Sequence, residues 1–184
     1  CLVPMARVHL EWGEIDALVS EIERMDSAFL KLNDEVGMAH VAFFQSRLAR
    51  YNENMDSALA WGLEAVSRWQ DCSARDVVRG HINIGCIRLI QGRYALARRR
   101  FESALAEAEQ AQWRHMVCLA NVGLLAALAG LDEWGGFDSS LAKVSQLVRG
   151  GRFLAWDSSW PIQLAGQLAP EASENGRARR AFEV

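Results

Sequence analysis

Few residues of this chain stand at spacings that could do chemistry. His115 and Cys118 lie three apart, so on a helix they share one face, a spacing that suits a metal ion. A zinc site takes three or four ligands, and no further pair of histidines or cysteines stands near them. The four cysteines are Cys1, Cys72, Cys86 and Cys118 and include no CxxC pair. They are expected to be small buried hydrophobes in a reducing cytoplasm. Arg98, Arg99 and Arg100 could hold a phosphate, but Glu102, Glu107 and Glu109 follow along the same helix. Interleaved charges of this kind belong to a solvated helix face. No HExxH, GxSxG, Walker loop or GxGxxG occurs. Gly135-Gly136 and Gly150-Gly151 lack a strand before them and read as helix ends. The sequence therefore offers no catalytic residue, no metal ligand set and no cofactor site, and the expectation is a binding protein rather than an enzyme. Asn83 and Asn121, 38 residues apart, remain as side chains with both a donor and an acceptor to offer.

The elements that must position these residues are helices. The 184 residues are 51% hydrophobic and 23% charged, which excludes a disordered chain. Only 3 prolines and 14 glycines interrupt a chain rich in alanine, leucine, arginine and glutamate, all good helix formers. A net charge of -3 is not the electrostatic footprint of a general nucleic-acid binder, and no nucleic acid is expected as a partner. The longest apolar run, residues 116–131, is short for a bilayer, so no membrane partner is expected either. Residue 1 is Cys, and residues 177–184 read as the opening of a further helix, so the sequence is taken as a piece of a longer chain.

A repeat organises the chain. Its clearest unit, residues 78–112, carries Asn83-Ile84-Gly85, then Gln91-Gly92-Arg93-Tyr94, then Ala97, Phe101 and Ala104. Asn121-Val122-Gly123 follows 38 residues after the first phrase, with Gly130, Gly135 and Ala142 set against Gly92, Ala97 and Ala104. Upstream, Ser46, Met55, Ala58 and Ala65 precede Gly85, Tyr94, Ala97 and Ala104 by 39. Trp12-Gly13-Glu14-Ile15 forms a half unit before that. This pattern resembles the tetratricopeptide repeat, in which a large residue, Leu-Gly, a small residue, an aromatic and another small residue recur at fixed offsets. His81, Arg88 and Glu109 depart from it, where the family favours tryptophan, tyrosine and proline. The spacing of 38 to 40 exceeds the usual repeat of about 34 residues. It is similar to the tetratricopeptide arms of bacterial signalling and regulatory proteins.

The expected fold is all-α, an α-solenoid of antiparallel helix pairs in a right-handed superhelix, with 1–184 forming one array of four to five units. Helices are placed near 14–32, 35–51, 54–70, 74–91, 94–112, 114–130, 134–149, 152–168 and 171–183. Gly85 is expected to face Ala97 at a close helix contact. The tryptophans, Trp69 and Trp113 above all, are expected to plug gaps between units. Trp156 and Trp160 share a face near the C-terminal end and either cap the array, meet missing repeats or line a binding surface, and a homodimer through an end of the array is expected to hide apolar surface there.

The resemblance implies a concave groove lined by the first helix of each unit. Its candidates are His40, Phe43, Phe44, Arg47 and Arg50, then Arg79, Ile82, Asn83, Cys86 and Leu89, then Val117, Asn121, Leu124 and Leu128. Asn83 and Asn121 would hold a peptide backbone while Arg47, Arg50 and Arg79 attract acidic groups. The resulting expectation is a cytoplasmic module that binds a protein or peptide segment as one arm of a larger signalling protein. A spacer or self-association domain without a dedicated groove is the alternative.

Overall fold

A computed structural model describes residues 2–149 and 156–168, with the side chains of 156–159 outside that description. Among the described residues there is no strand. The helices are α1 (Leu2–Trp12), α2 (Ile15–Leu32), α3 (Glu35–Tyr51), α4 (Met55–Trp69), α5 (Ala74–Ile90), α6 (Tyr94–Gln110), α7 (Arg114–Ala129), α8 (Trp134–Arg149) and α9 (Trp156–Leu168). All-α architecture is as expected, and α2 to α8 fall within two residues of the expected bounds. α1 is a helix the sequence reading lacked. The helix expected over 171–183, the Gly150-Gly151 turn and the side chain of Trp156 lie outside the described residues. No described helix is long and apolar enough to cross a membrane. The chain forms two compact units, Cys1–Asn83 and Ile84–Val184, dividing inside α5.

The turns explain why helices alternate so regularly. One residue enters the left-handed region at most of them: Gly13, Asn33, Glu53, Gly92, Gln112 and Asp132, with φ between 51° and 71°. A residue of this kind closes the last helical turn and reverses the chain. The amides of Glu14, Asp34, Asn54, Arg93, Trp113 and Glu133 then each bond back to a carbonyl five residues earlier. The turn before α5 works differently. There the Ser73 hydroxyl donates to Asp76 Oδ2 at 2.6 Å, while the Asp76 amide donates back to Ser73 Oγ at 3.4 Å. Asp34 and Asn54 cap α3 and α4 by accepting from the amides of Gly37 and Ser57 at 2.9 and 3.1 Å.

In the first unit, Leu18, Ile22 and Met25 form one buried stripe on α2, and Ala58, Ala65 and Trp69 another on α4. Small residues admit neighbours: a Cβ on Gly37 would enter the ring of Phe29, and one on Gly80 would enter the side chain of Val66. Ser46 takes the place of a glycine on α3, and its hydroxyl donates to the Ala58 carbonyl of α4 at 2.6 Å. Trp69 is fully buried, as expected, whereas Trp12 and Trp61 are exposed and plug nothing among the described residues. Trp113 and Trp160 are half-buried.

In the second unit, α6 buries Ala97, Phe101, Ala104 and Ala108, and α8 buries Phe137, Ser140, Leu141 and Val144. Gly85 meets the following helix, as expected, and the side chain nearest to it there is Phe101, where Ala97 was expected. A Cβ on Gly85 would stand 2.7 Å from that ring, and a Cβ on Gly123 would collide with the same ring from α7. Residues 120–129 of α7 are all buried, because α6, α8 and α9 each pack against it.

These positions also correct the repeat offset. From the third pair of helices to the fourth, helix starts move from Ala74 to Arg114 and from Tyr94 to Trp134, and the left-handed residue moves from Gly92 to Asp132. Each step is 40. The buried row 97, 101, 104 becomes 137, 141, 144, whereas the expected counterparts Gly135 and Ala142 are exposed. Asn121-Val122-Gly123 repeats the letters of Asn83-Ile84-Gly85 two residues out of structural register.

Candidate functional site

The candidate residues gather on α3 and α5 in the first unit. His40, Phe43, Arg47 and Arg50 run at helical spacing along α3, and Asp76, Arg79 and Asn83 do so along α5. The two stripes meet through a chain of hydrogen bonds. Arg50 Nη1 donates to Asn83 Oδ1 at 3.4 Å, Asn83 Nδ2 donates to Ser46 Oγ at 2.7 Å, and Ser46 donates to the Ala58 carbonyl. Asn83 is only 2% exposed, so its amide braces three helices instead of facing an open groove.

Asn121 is corrected in the same sense. It is also 2% exposed, and its Nδ2 donates to the Val117 carbonyl one turn back at 2.8 Å. Val117, Leu124 and Leu128, expected beside it on a groove, are buried too. The structure does not give the two asparagines a common role.

Phe43 belongs to the core. It is 6% exposed, edge-on to Phe44 and tilted against Trp69, both at 5.6 Å between ring centroids. Phe44, Cys86 and Leu89 are likewise buried, and Ile82 is half-buried. Four of the candidates on these helices remain reachable, and all four are basic or titratable. His40, Arg47, Arg50 and Arg79 are all half-buried.

His40 sits edge-on against the indole of Trp69 at 5.1 Å. Charges reach it from three elements: Asp76 and Arg79 on α5, Arg7 on α1, and Asp34 before α3. Burial pushes the imidazole below its ordinary value. Asp76 and Asp34 oppose the change, while Arg79 and Arg7 reinforce it. Arg79 pairs with Asp76 Oδ1. Its guanidinium is also lowered, first by burial and then by Arg7, with Asp76 working against both. Arginine nevertheless stays charged.

Sequence reading missed Ser46 as a hydrogen-bond bridge and Asp76 and Arg7 as members of this cluster. Arg7 had a signal, since it precedes Arg47 by 40 residues and so occupies the same place in the preceding first helix.

Elsewhere the polar candidates are engaged. Arg98 donates to Glu102 at 2.7 Å and to both oxygens of Glu133 at 2.6 and 2.7 Å, so part of the triple-arginine run is committed to ion pairs on the surface. Cys118 is buried, which raises its thiol pKa and disfavours the thiolate that a metal requires. Among the described residues no three His, Cys, Asp or Glu side chains stand together to hold a metal ion. No protein-family model matches the chain, and no curated protein matches it.

Proposed function

We propose that this chain is a tetratricopeptide-type interaction module that binds an acidic protein or peptide segment on the α3–α5 face of its first unit. The observation that carries the proposal is the set of half-buried basic side chains, Arg47, Arg50 and Arg79 with His40, ranged along two helices that touch. Partly buried guanidiniums lose less freedom on binding and attract carboxylates more strongly than fully solvated ones. Phe43 and Asn83 are buried beneath this surface, and Asn121 belongs to the second unit and has no part in it. The role as one arm of a larger cytoplasmic signalling protein belongs to the same proposal and rests on the repeat resemblance.

The test is fluorescence anisotropy with labelled acidic, neutral and basic hexapeptides. The acidic peptide should bind best and weaken steeply with salt. Arg47→Ala should weaken it by about tenfold, since a charge-assisted hydrogen bond contributes roughly 1.5–3 kcal/mol. Equal behaviour of all three peptides, with helicity intact, would leave the spacer reading in place.

A further inference from the structure

The hydrogen bonds from Ala58 to Arg50 have a direction that their chemistry fixes. A serine hydroxyl has one proton to give. Ser46 gives it to the Ala58 carbonyl of α4 at 2.6 Å. Towards Asn83 the hydroxyl can therefore only accept, and it accepts from Nδ2 at 2.7 Å. That sets the amide of Asn83 one way round, with Oδ1 on the opposite side. Asn83 is 2% exposed, so this oxygen needs a donor from the protein itself. A guanidinium carries donors and no acceptor. Arg50 Nη1 supplies the bond at 3.4 Å, from 33 residues away in sequence. Ser46 and Asn83 are buried, whereas Arg50 keeps part of its surface open. The bonds thus run from the backbone of α4 through buried groups on α3 and α5 to a cation at the surface. Serine and asparagine are neutral, so they position the guanidinium without offsetting its charge. Arg79 is held differently, by the carboxylate of Asp76.

We propose that Asn83 is a positioning residue for the acidic segment: it holds Arg50 in place before the segment arrives and so lowers the ordering cost of binding a carboxylate there. The inference rests on the proposed binding function and deepens it. A long cationic side chain that is loose in the free protein loses rotamer freedom when a partner fixes it, and that loss weakens binding. An arginine already fixed loses less and keeps its planar fork aimed. Asn83 is buried and touches no ligand, so its effect passes through Arg50. Ser46 acts one step further back, because its hydroxyl sets the orientation of the amide.

The experiment uses the whole chain and a labelled hexa-aspartate peptide. Asn83→Leu and Ser46→Ala are made alone and together with Arg50→Ala. Affinity is read by fluorescence anisotropy, and the order of the Arg50 side chain by nitrogen relaxation of its Nε–H group without peptide. That resonance is identified by its loss in Arg50→Ala. Asn83→Leu should weaken binding about fivefold while Arg50 is present, and should have no effect in the Arg50→Ala background. The Arg50 side chain should become more mobile in Asn83→Leu. Ser46→Ala should move both readouts the same way by less, and it carries the test if Asn83→Leu loses helicity. A general loosening of the fold would instead weaken binding equally with and without Arg50. That additive result, or an Arg50 side chain no more mobile in either variant, overturns the positioning role and leaves acidic-segment binding standing. Wild-type protein that binds no peptide removes both.

Discussion

At the level of single residues, buried polar groups such as Ser46 and Asn83 tie neighbouring helices together, and half-buried ones such as His40 sit where burial shifts their chemistry. His40 makes this measurable in the folded state alone. Its native pKa is lowered, so as pH falls below about 6.5 the unfolded chain takes up a proton that the native chain still refuses. Stability is thus highest above that point and declines as pH drops toward the native value. Urea unfolding between pH 7.5 and pH 5 should show this decline, and His40→Gln should lessen it. If the variant keeps the full pH dependence, another group is responsible. Packing gives a second case. Gly123→Ala gains helix propensity of about 1 kcal/mol but must displace the Phe101 ring, and overpacking costs roughly 1–3 kcal/mol. The variant should melt at a lower temperature, and adding Phe101→Leu should recover part of the loss that Gly123→Ala causes. A melting temperature equal to or above the wild type would show that the ring has room to move. The basic residues of the face were legible in the sequence because arginine at helical spacing reads the same in any structure. The fate of the asparagines was not legible, because burial is decided by which helices close over a residue. Asn83 is claimed by Ser46 and Arg50 from another helix, and no local pattern foretells that.

At the level of elements, punctuation determined what could be read. Asn33, the Asn52–Asn54 stretch, Gly92 and Asp132 mark turns whose left-handed residues do the same mechanical work despite different side chains. Helix ends were therefore accurate, while the short α1, too brief to show a period and preceding the first clear turn, went unread. The repeat offset misled for a related reason: matching Asn-x-Gly phrases pointed to 38, whereas turns and buried rows moved by 40. Glu53 and Gln112 hold φ of 59° and 58°, where an L-residue costs roughly 1–2 kcal/mol. Glu53→Gly should stabilise the protein by about 1 kcal/mol after the greater freedom of glycine in the unfolded chain is subtracted. Gly92→Ala should destabilise it by a similar amount. Chemical denaturation of both variants checks the pair, and a Glu53→Gly protein less stable than its parent would refute the account of the turns.

At the level of the molecule, protection from solvent is uneven. Every residue from 120 to 129 in α7 is buried, whereas α2 and α4 each keep a wet face. Backbone opening is rarest where the surrounding contacts are most complete. Amide hydrogen exchange should therefore be slowest in α7 among the described residues, and faster exchange there than in α4 would contradict this. The Phe101 ring has a further consequence. It rests on Gly85 from one side and Gly123 from the other, so neither the α5–α6 hairpin nor the α6–α7 hairpin is complete by itself. As the chain leaves the ribosome, α5 and α6 emerge before α7, so the side of the Phe101 ring that meets Gly123 is covered last. Through that interval the ring has one apolar side without its glycine, and the register of three helices is fixed only when the last of them arrives.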